Sequence, residues 1–289
     1  MSFNNKIITF SIFILVGLPL AVGFVGYQKH KAAEEAKKKM APPREEINIT
    51  IIPGWTLRQV ATDWVKKGLF KNEEEIYSLL GKPAYKYGGL GNGAPDLSEL
   101  FPTFSILKEK EKNSSYEGFI YPDTYRIYKD AKPEEILRKI FDNLEKKITP
   151  EMREEIVQQN KTFFEILTMA SIVEKEAPDA TSMAKVADIF WRRLNMKWAL
   201  QSCATVNYIT GKTTPAVSLA DTQIDSPYNT YKYRGLPPGP IANPSLTAIK
   251  AVIYPEKNDY WYFLSDNDGN IYYSKTLEQH NIYKVRYLK

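Results

Sequence analysis

Hydrophobic positions along this chain fall into three patterns: one unbroken apolar run, several alternating stretches and a set of helical stripes. The run comes first. From Ile7 to Tyr27 no residue is charged, and a helix of that length spans about 30 Å, the thickness of a bilayer core. Tyr27, Lys29 and Lys31 then supply an aromatic and two cations of the kind found at a membrane interface. A cleaved signal peptide is the rival reading. The run is longer than a signal peptide's apolar region and no clean A-x-A site follows, so a transmembrane helix over 7–27 is expected after a short tail, 1–6. Residues 28–46, rich in Lys, Glu and Ala and carrying Pro42-Pro43, read as a solvated stalk.

Alternation begins at Ile47-Asn-Ile-Thr-Ile-Ile52, as in a half-buried strand. Pro53-Gly54 makes a turn, and Thr56 caps a helix with Leu57, Val60, Ala61, Trp64 and Val65 on one face. Gly68 ends that helix, and Asn72 with Glu73, Glu74 and Glu75 starts another. Further on, Tyr116 to Tyr125 reads as a strand entering a turn. Ile136, Ile140, Phe141 and Leu144 form a helical stripe before Pro150. Thr162 to Ala177 is a strongly apolar helix ending in Glu174 and Glu176, and a second helix covers Met183 to Leu194. The stretch from Tyr260 through the D-N-D-G turn predicts a β-hairpin. The expected class is α+β: the transmembrane helix, a small α/β module over 47–110, and a larger α+β domain over 111–289 with the C-terminal hairpin.

Composition narrows the chemistry. One cysteine, Cys203, rules out an intrachain disulfide. Two histidines, His30 and His280, argue against zinc hydrolases, which need two or three imidazoles, and no metal site is expected. Any Ser-His or Cys-His mechanism would depend on His280 alone, since His30 lies in the stalk. The net charge of +5 is mild and its basic residues are scattered, so nucleic acid is not an expected partner. Neither Gly88-Gly89-Leu-Gly91-Asn-Gly93 nor Gly211-Lys-Thr-Thr has the context of a phosphate loop, and no cofactor is expected.

Carboxylate chemistry remains. Glu174 follows Leu167, Ala170 and Ser171 on one helix face, and Glu176 follows Met169, Ile172 and Val173 on another. A carboxyl held on an apolar face loses solvation and can stay protonated near neutral pH. Such an acid is what a glycosidic oxygen needs in order to leave. Spacing alone equally fits two glutamates at the solvated end of a helix.

Several segments together resemble the MltG (YceG-like) family of endolytic murein transglycosylases: E-G-F-I-Y-P-D-T-Y from Glu117, A-S-I-V-E-K-E from Ala170, L-Q-S-x-x-T-V from Leu200, D-S-P-Y-N-T-Y from Asp225, G-L-P-P-G-P-I-A-N-P from Gly235, and the Y-W-Y-F-L-S-D hairpin with His280-Asn281 after it. The P-G-W-T-L opening of the first module also resembles a LysM domain, though without the usual acidic residue after the glycine.

The family resemblance implies cleavage of the β-1,4 bond between N-acetylmuramic acid and N-acetylglucosamine in nascent peptidoglycan strands, leaving 1,6-anhydro ends. One glutamate acts first as acid and then as base. The pattern assigns that role to Glu174, with Glu176 as the fallback. Gln201, Thr205, Tyr228, Asn229 and Asn243 are expected to line the glycan groove. An Asp usual after L-Q-S is replaced here by Cys203, which removes any acid role at that position. The resemblance also implies a single-pass protein of the bacterial cytoplasmic (inner) membrane with a cytoplasmic tail, a catalytic domain outside, and peptidoglycan synthases as neighbours. The flanking lysines, counted alone, would put the body in the cytoplasm. Rival expectations are a hydrolytic muramidase, a non-catalytic peptidoglycan-binding scaffold and, more remotely, a Cys203-His280 peptidase.

Overall fold

In the computed structural model, residues 27–31, 34, 44–84, 93–213, 217–266 and 268–288 are described. The chain divides into two units, Met1–Glu45 and Glu46–Lys289. Of the first unit, the described residues include a helical stretch at 27–31. Apart from Tyr27, the expected membrane span lies outside the described residues. Among the described residues, no helix is long and apolar enough to cross a membrane.

The second unit opens with β1, Glu46–Thr50, which runs antiparallel to β2, Thr124–Tyr128, from the pair Glu46↔Tyr128 to the pair Thr50↔Thr124. Its alternation is the expected one: Ile49 and Ile51 are buried while Glu46, Asn48 and Thr50 turn away from the core or toward its edge. Between the two strands lie α1, Leu57–Lys66, and α2, Glu73–Leu80. Thr56 and Gln59 form a reciprocal capping box that starts α1, and Asn72 caps α2 through Glu75 N at 3.0 Å. Trp64 is buried and stacks on Phe70, which fastens α1 to the loop after it.

The two strands of this sheet fall on opposite sides of residue 110, the expected boundary between a small module and a larger domain. Gly54 N also donates to Asn243 O, and Asn243 N to Trp55 O, both at 2.8 Å. Residues 46–289 are therefore one compact unit, because the first strand and turn find their hydrogen-bond partners in the later segment.

Helices dominate the rest. α3, Pro133–Lys147, and α4, Pro150–Gln158, both begin with proline, where a missing N–H costs nothing. α5, Phe163–Glu176, is the central element. From Phe163 to Val173 every residue except Glu165 is buried, which suits a helix enclosed by its neighbours. It ends at Glu176 because Ala177 precedes Pro178 and is pushed into extended backbone. α6, Ala180–Asn195, α7, Cys203–Thr210, and α8, Leu246–Ile253, pack around it. The expected hairpin is present as β3, Tyr262–Ser265, and β4, Ile271–Ser274, and α9, Leu277–Tyr287, lies against it with Tyr287 stacked on Tyr272.

Buried Arg193 ties this hairpin to the segment before α7. Its guanidinium donates to Leu200 O at 2.6 Å and through two nitrogens to Trp261 O at 3.1 and 2.6 Å.

Candidate active site

A cleft of about 600 Å³ opens where three helix termini meet. The first turn of α1 contributes Thr56, Arg58 and Gln59. The end of α5 contributes Lys175 and Glu176, and α7 contributes Cys203, Ala204, Asn207 and Tyr208. Glu176 is the only carboxyl group among the lining residues.

Its side chain is held by one oxygen. Oε1 accepts a short hydrogen bond from Ser202 Oγ and a longer one, 3.4 Å, from Ala204 N. Oε2 has no partner among the described residues. Burial pushes the Glu176 carboxyl above the usual range. The Ser202 and Ala204 hydrogen bonds and the charge of Arg193 pull the other way without cancelling that effect. One oxygen is thus anchored, the other is open, and protonation is favoured.

Glu174 is engaged elsewhere. Its Oε2 accepts from Ser245 N at 2.9 Å and from Ser245 Oγ at 2.6 Å, and Ser245 Oγ in turn accepts from Ala248 N at 3.1 Å. Ser245 is the N-cap of α8. A carboxylate here satisfies orphan donors and complements the positive end of the helix, and Glu174 is not among the residues lining the cleft.

Beneath the cleft lies a third glutamate, which opens the E-G-F-I-Y-P-D-T-Y stretch but was given no role from the sequence. Glu117 is 1% exposed. Oε1 accepts from Leu57 N at 2.6 Å and Oε2 from Tyr208 OH at 3.1 Å. Burial raises its carboxyl to about 7, against the lowering pull of those two bonds and of Arg58. Glu117 thereby joins the start of α1 to Tyr208, and Arg58 Nη2 closes the triangle by donating to Tyr208 O at 3.1 Å.

The residues expected along the groove divide into two groups. Thr205, Tyr228, Asn229 and Asn243 are buried and hold loops in place. Thr205 Oγ1 donates to Ser202 O at 2.8 Å and pairs with Thr230 Oγ1 at 2.9 Å, which fixes the segment that carries Ser202. Tyr228 packs its ring on Tyr208, with centroids 5.2 Å apart. Asn229 Nδ2 donates to Thr222 O and Ile224 O, and Tyr231 N donates to its Oδ1. Asn243 Oδ1 accepts from Ile120 N at 3.0 Å and its Nδ2 donates to Trp55 O at 2.9 Å. Gln201, in contrast, lines a second and adjoining pocket.

Cys203 Sγ lies 3.1 Å from Tyr231 OH, and burial raises its thiol above the ordinary value, the reverse of an activated nucleophile. His280 stacks on Tyr262. Among the described residues no hydrogen bond joins Cys203 to His280.

Thr56, Arg58, Gln59, Asn207 and Tyr208 were not anticipated as lining residues. The sequence marks Thr56 only as a helix cap, and the others carry no signal, since polar residues on a short helix usually just face water.

Comparison with known proteins adds to this geometry. The model of the YceG-like family matches residues 15–286. A Bacillus subtilis protein named endolytic murein transglycosylase is 38% identical over 245 residues, covering 84% of this chain and 65% of that protein. A protein of the same name from Streptococcus pneumoniae is 33% identical over 285 residues, covering 91% of this chain and 50% of its own length. The chain thus spans between half and two thirds of these relatives. The 2.6 Å crystal structure of a putative yceG-like protein from Listeria monocytogenes superposes with a TM-score of 0.67 at 32% identity, over 85% of this chain and 78% of the other.

Proposed function

Because the chain belongs to the YceG-like family, we propose that it cuts peptidoglycan glycan strands internally as a lytic transglycosylase, with Glu176 as the acid and base. The observation that carries this reading is the solitary carboxyl group of the cleft, desolvated and bonded through one oxygen only. The relatives named endolytic murein transglycosylase supply the substrate class.

In this mechanism the protonated Glu176 gives its proton from Oε2 to the oxygen linking N-acetylmuramic acid to N-acetylglucosamine. The C1–O bond breaks and positive charge develops on the muramyl ring. The muramyl 6-hydroxyl then attacks C1, and the Glu176 carboxylate removes its proton. The products are a 1,6-anhydro-muramyl end and a free N-acetylglucosamine 4-hydroxyl. Proton and oxygen count balance without water, so one carboxyl suffices where a hydrolase of glycosides ordinarily uses two. Ser202 and the α7 N-terminus steady the carboxylate between its two proton transfers.

The apolar run over 7–27 is read as the membrane anchor, with the body outside the cytoplasmic membrane, where its substrate lies. Peptidoglycan synthases are its natural neighbours there. Mass spectrometry of strands digested by the full chain in detergent micelles tests the chemistry. Anhydro-muramyl ends are expected. Reducing muramyl ends would assign a hydrolytic muramidase, and intact strands would leave the scaffold reading.

A further inference from the structure

Beside the cleft lies a second pocket of about 560 Å³ whose walls hold four cations, Arg193, Lys197, Lys232 and Arg234, and no acid. Charge in this chain is nearly balanced, with 39 basic and 34 acidic residues, so an acid-free cluster of this kind is unusual. Lys232 has a counter-ion in Asp225, which is outside the pocket. Arg193 spends its donors on backbone carbonyls. Lys197 and Arg234 are exposed and make no ion pair among the described residues. Trp198, Tyr231 and Tyr262 supply aromatic walls. Like charges brought together without counter-ions favour an anionic occupant.

The pocket shares a wall with the active-site cleft. Gln201 faces the pocket, Ser202 bonds Glu176, and Cys203 faces the cleft, so three consecutive residues separate the two spaces. Consecutive Cα atoms are 3.80 Å apart, which places the two spaces within about 7 Å of each other along this wall. Tyr231 bridges the same gap, lining the pocket while its OH meets Cys203 Sγ. The backbone agrees. Lys197 and Gln201 hold φ of +56° and +54°, the left-handed region that glycine adopts more readily than any residue with a side chain. Lys197 follows α6 where glycine is the common terminator, so a long cation stands at a position that glycine would fill more cheaply.

We propose that this pocket is an anionic subsite that takes a carboxylate of the peptide carried by the muramyl residue being cut. The inference rests on the glycan-cleaving reading above. A strand of N-acetylated sugars whose muramyl carboxyls are amide-linked is itself neutral, so the negative charge of the substrate resides on its peptides. Each peptide leaves the sugar beside the scissile bond and must run along a wall of the cleft. The wall through Gln201 leads it to Lys197 and Arg234, where charge-assisted hydrogen bonds hold the carboxylate. The pocket then contributes to binding and strand register, and takes no part in proton transfer.

The test compares two substrates with the full chain in detergent: strands with native peptide carboxylates, and the same strands with those carboxylates converted to primary amides. Wild type is expected to show a KM about tenfold lower on the carboxylate form, the size of two partly exposed charge pairs. The double variant Lys197→Ala/Arg234→Ala should show one KM for both forms, with kcat on the amidated strands unchanged. Equal KM values in wild type, or a preference that survives the double variant, would overturn the proposal. A second measurement needs no catalysis. Quenching of the Trp198 fluorescence by free peptide acid, absent with the peptide amide and absent in Trp198→Phe, is expected even if neither strand is cut. Cleavage of neither strand would sink the catalytic reading alone, whereas no discrimination between acid and amide would sink the subsite. Inorganic diphosphate binding more tightly than the peptide acid would assign the pocket to a phosphate ligand instead and likewise overturn it.

Discussion

Glu174 and Glu176 stand two residues apart on the same helix, yet their carboxylates serve different helices: Glu174 bonds Ser245 at the start of α8, and Glu176 bonds Ser202 at the start of α7. Two residues correspond to about 200° of helical rotation, so little more than half a turn of backbone sends them to opposite sides. The α8 side is a packed helix cap and the α7 side is an open cleft. This difference of neighbourhood, more than any difference of residue type, separates the carboxylate of the helix cap from the carboxylate of the cleft.

The first prediction follows directly. Glu176→Gln keeps the shape but loses the proton, and strand cleavage should fall by roughly 10²–10⁴-fold with little change in Tm. Glu174→Ala should do the reverse, lowering stability by about 2 kcal/mol through the lost cap, or roughly 4–8 °C, while most activity remains. Cleavage rates and thermal melts of the two variants decide it; an inactive but fully stable Glu174→Ala protein would reverse the assignment.

Ser202→Ala should move the pH profile. The Ser202 hydroxyl stabilises the ionised form of Glu176, so its removal raises an already elevated carboxyl further. Cleavage requires the protonated form first. The alkaline limb of activity should therefore shift to higher pH while the maximum rate falls. A shift to lower pH in the rate profile would contradict the role given to this bond.

Glu117 makes stability depend on pH. Its carboxyl stands at about 7 in the folded protein and at 4.5 in its ordinary state, so the folded state binds the proton more tightly. That contribution is fully present below about pH 4.5 and is lost as pH rises through 7. Glu117→Gln should remove this dependence. Wild type loses about 3 kcal/mol relative to the variant between these limits. Denaturant melts at pH 4.5 and pH 8 measure the difference; parallel curves for the two proteins would refute it.

Gly118 allows a close approach that no other residue permits. Its φ is +87°, and a Cβ there would sit 2.6 Å from Pro240 Cβ and 2.7 Å from Pro240 Cγ. Gly118→Ala should cost at least about 2 kcal/mol from the backbone region and the overlap together. It should also disturb the neighbouring Glu117 bonds, lowering Tm and activity in step. Melting and cleavage assays on the variant should show both losses.

Much of this architecture is readable from residue order because local rules govern it. Thr56, Asn72 and Thr162 mark helix starts through their caps, the alternation after Ile47 marks a strand, and Tyr260 onward marks the hairpin. The site is less readable because its chemistry depends on distant partners. No spacing rule tells which of Glu174 and Glu176 will meet a helix cap, since Ser245 and Ser202 arrive from far along the chain. Asn229 and Asn243 have the amides that a sugar would want, but loops with unsatisfied backbone groups compete for the same donors and here claim them. Glu117 is masked by the aromatic residues around it. The boundary expected at residue 110 overlooked that β1 needs a partner strand, which the segment 47–110 does not supply.

The clamp between Gly54-Trp55 and Asn243 has a consequence for biosynthesis. Its two halves are separated by 188 residues, so the loop it closes is among the slowest contacts for a growing polypeptide to make. Until the ribosome has released Asn243, the Gly54-Trp55 turn before Thr56 lacks this anchor, and the Glu117 and Arg58 bonds hold that side of the cleft. The contacts behind the Thr56 side of the cleft are thus complete only once Asn243 has emerged, late in the synthesis of this chain.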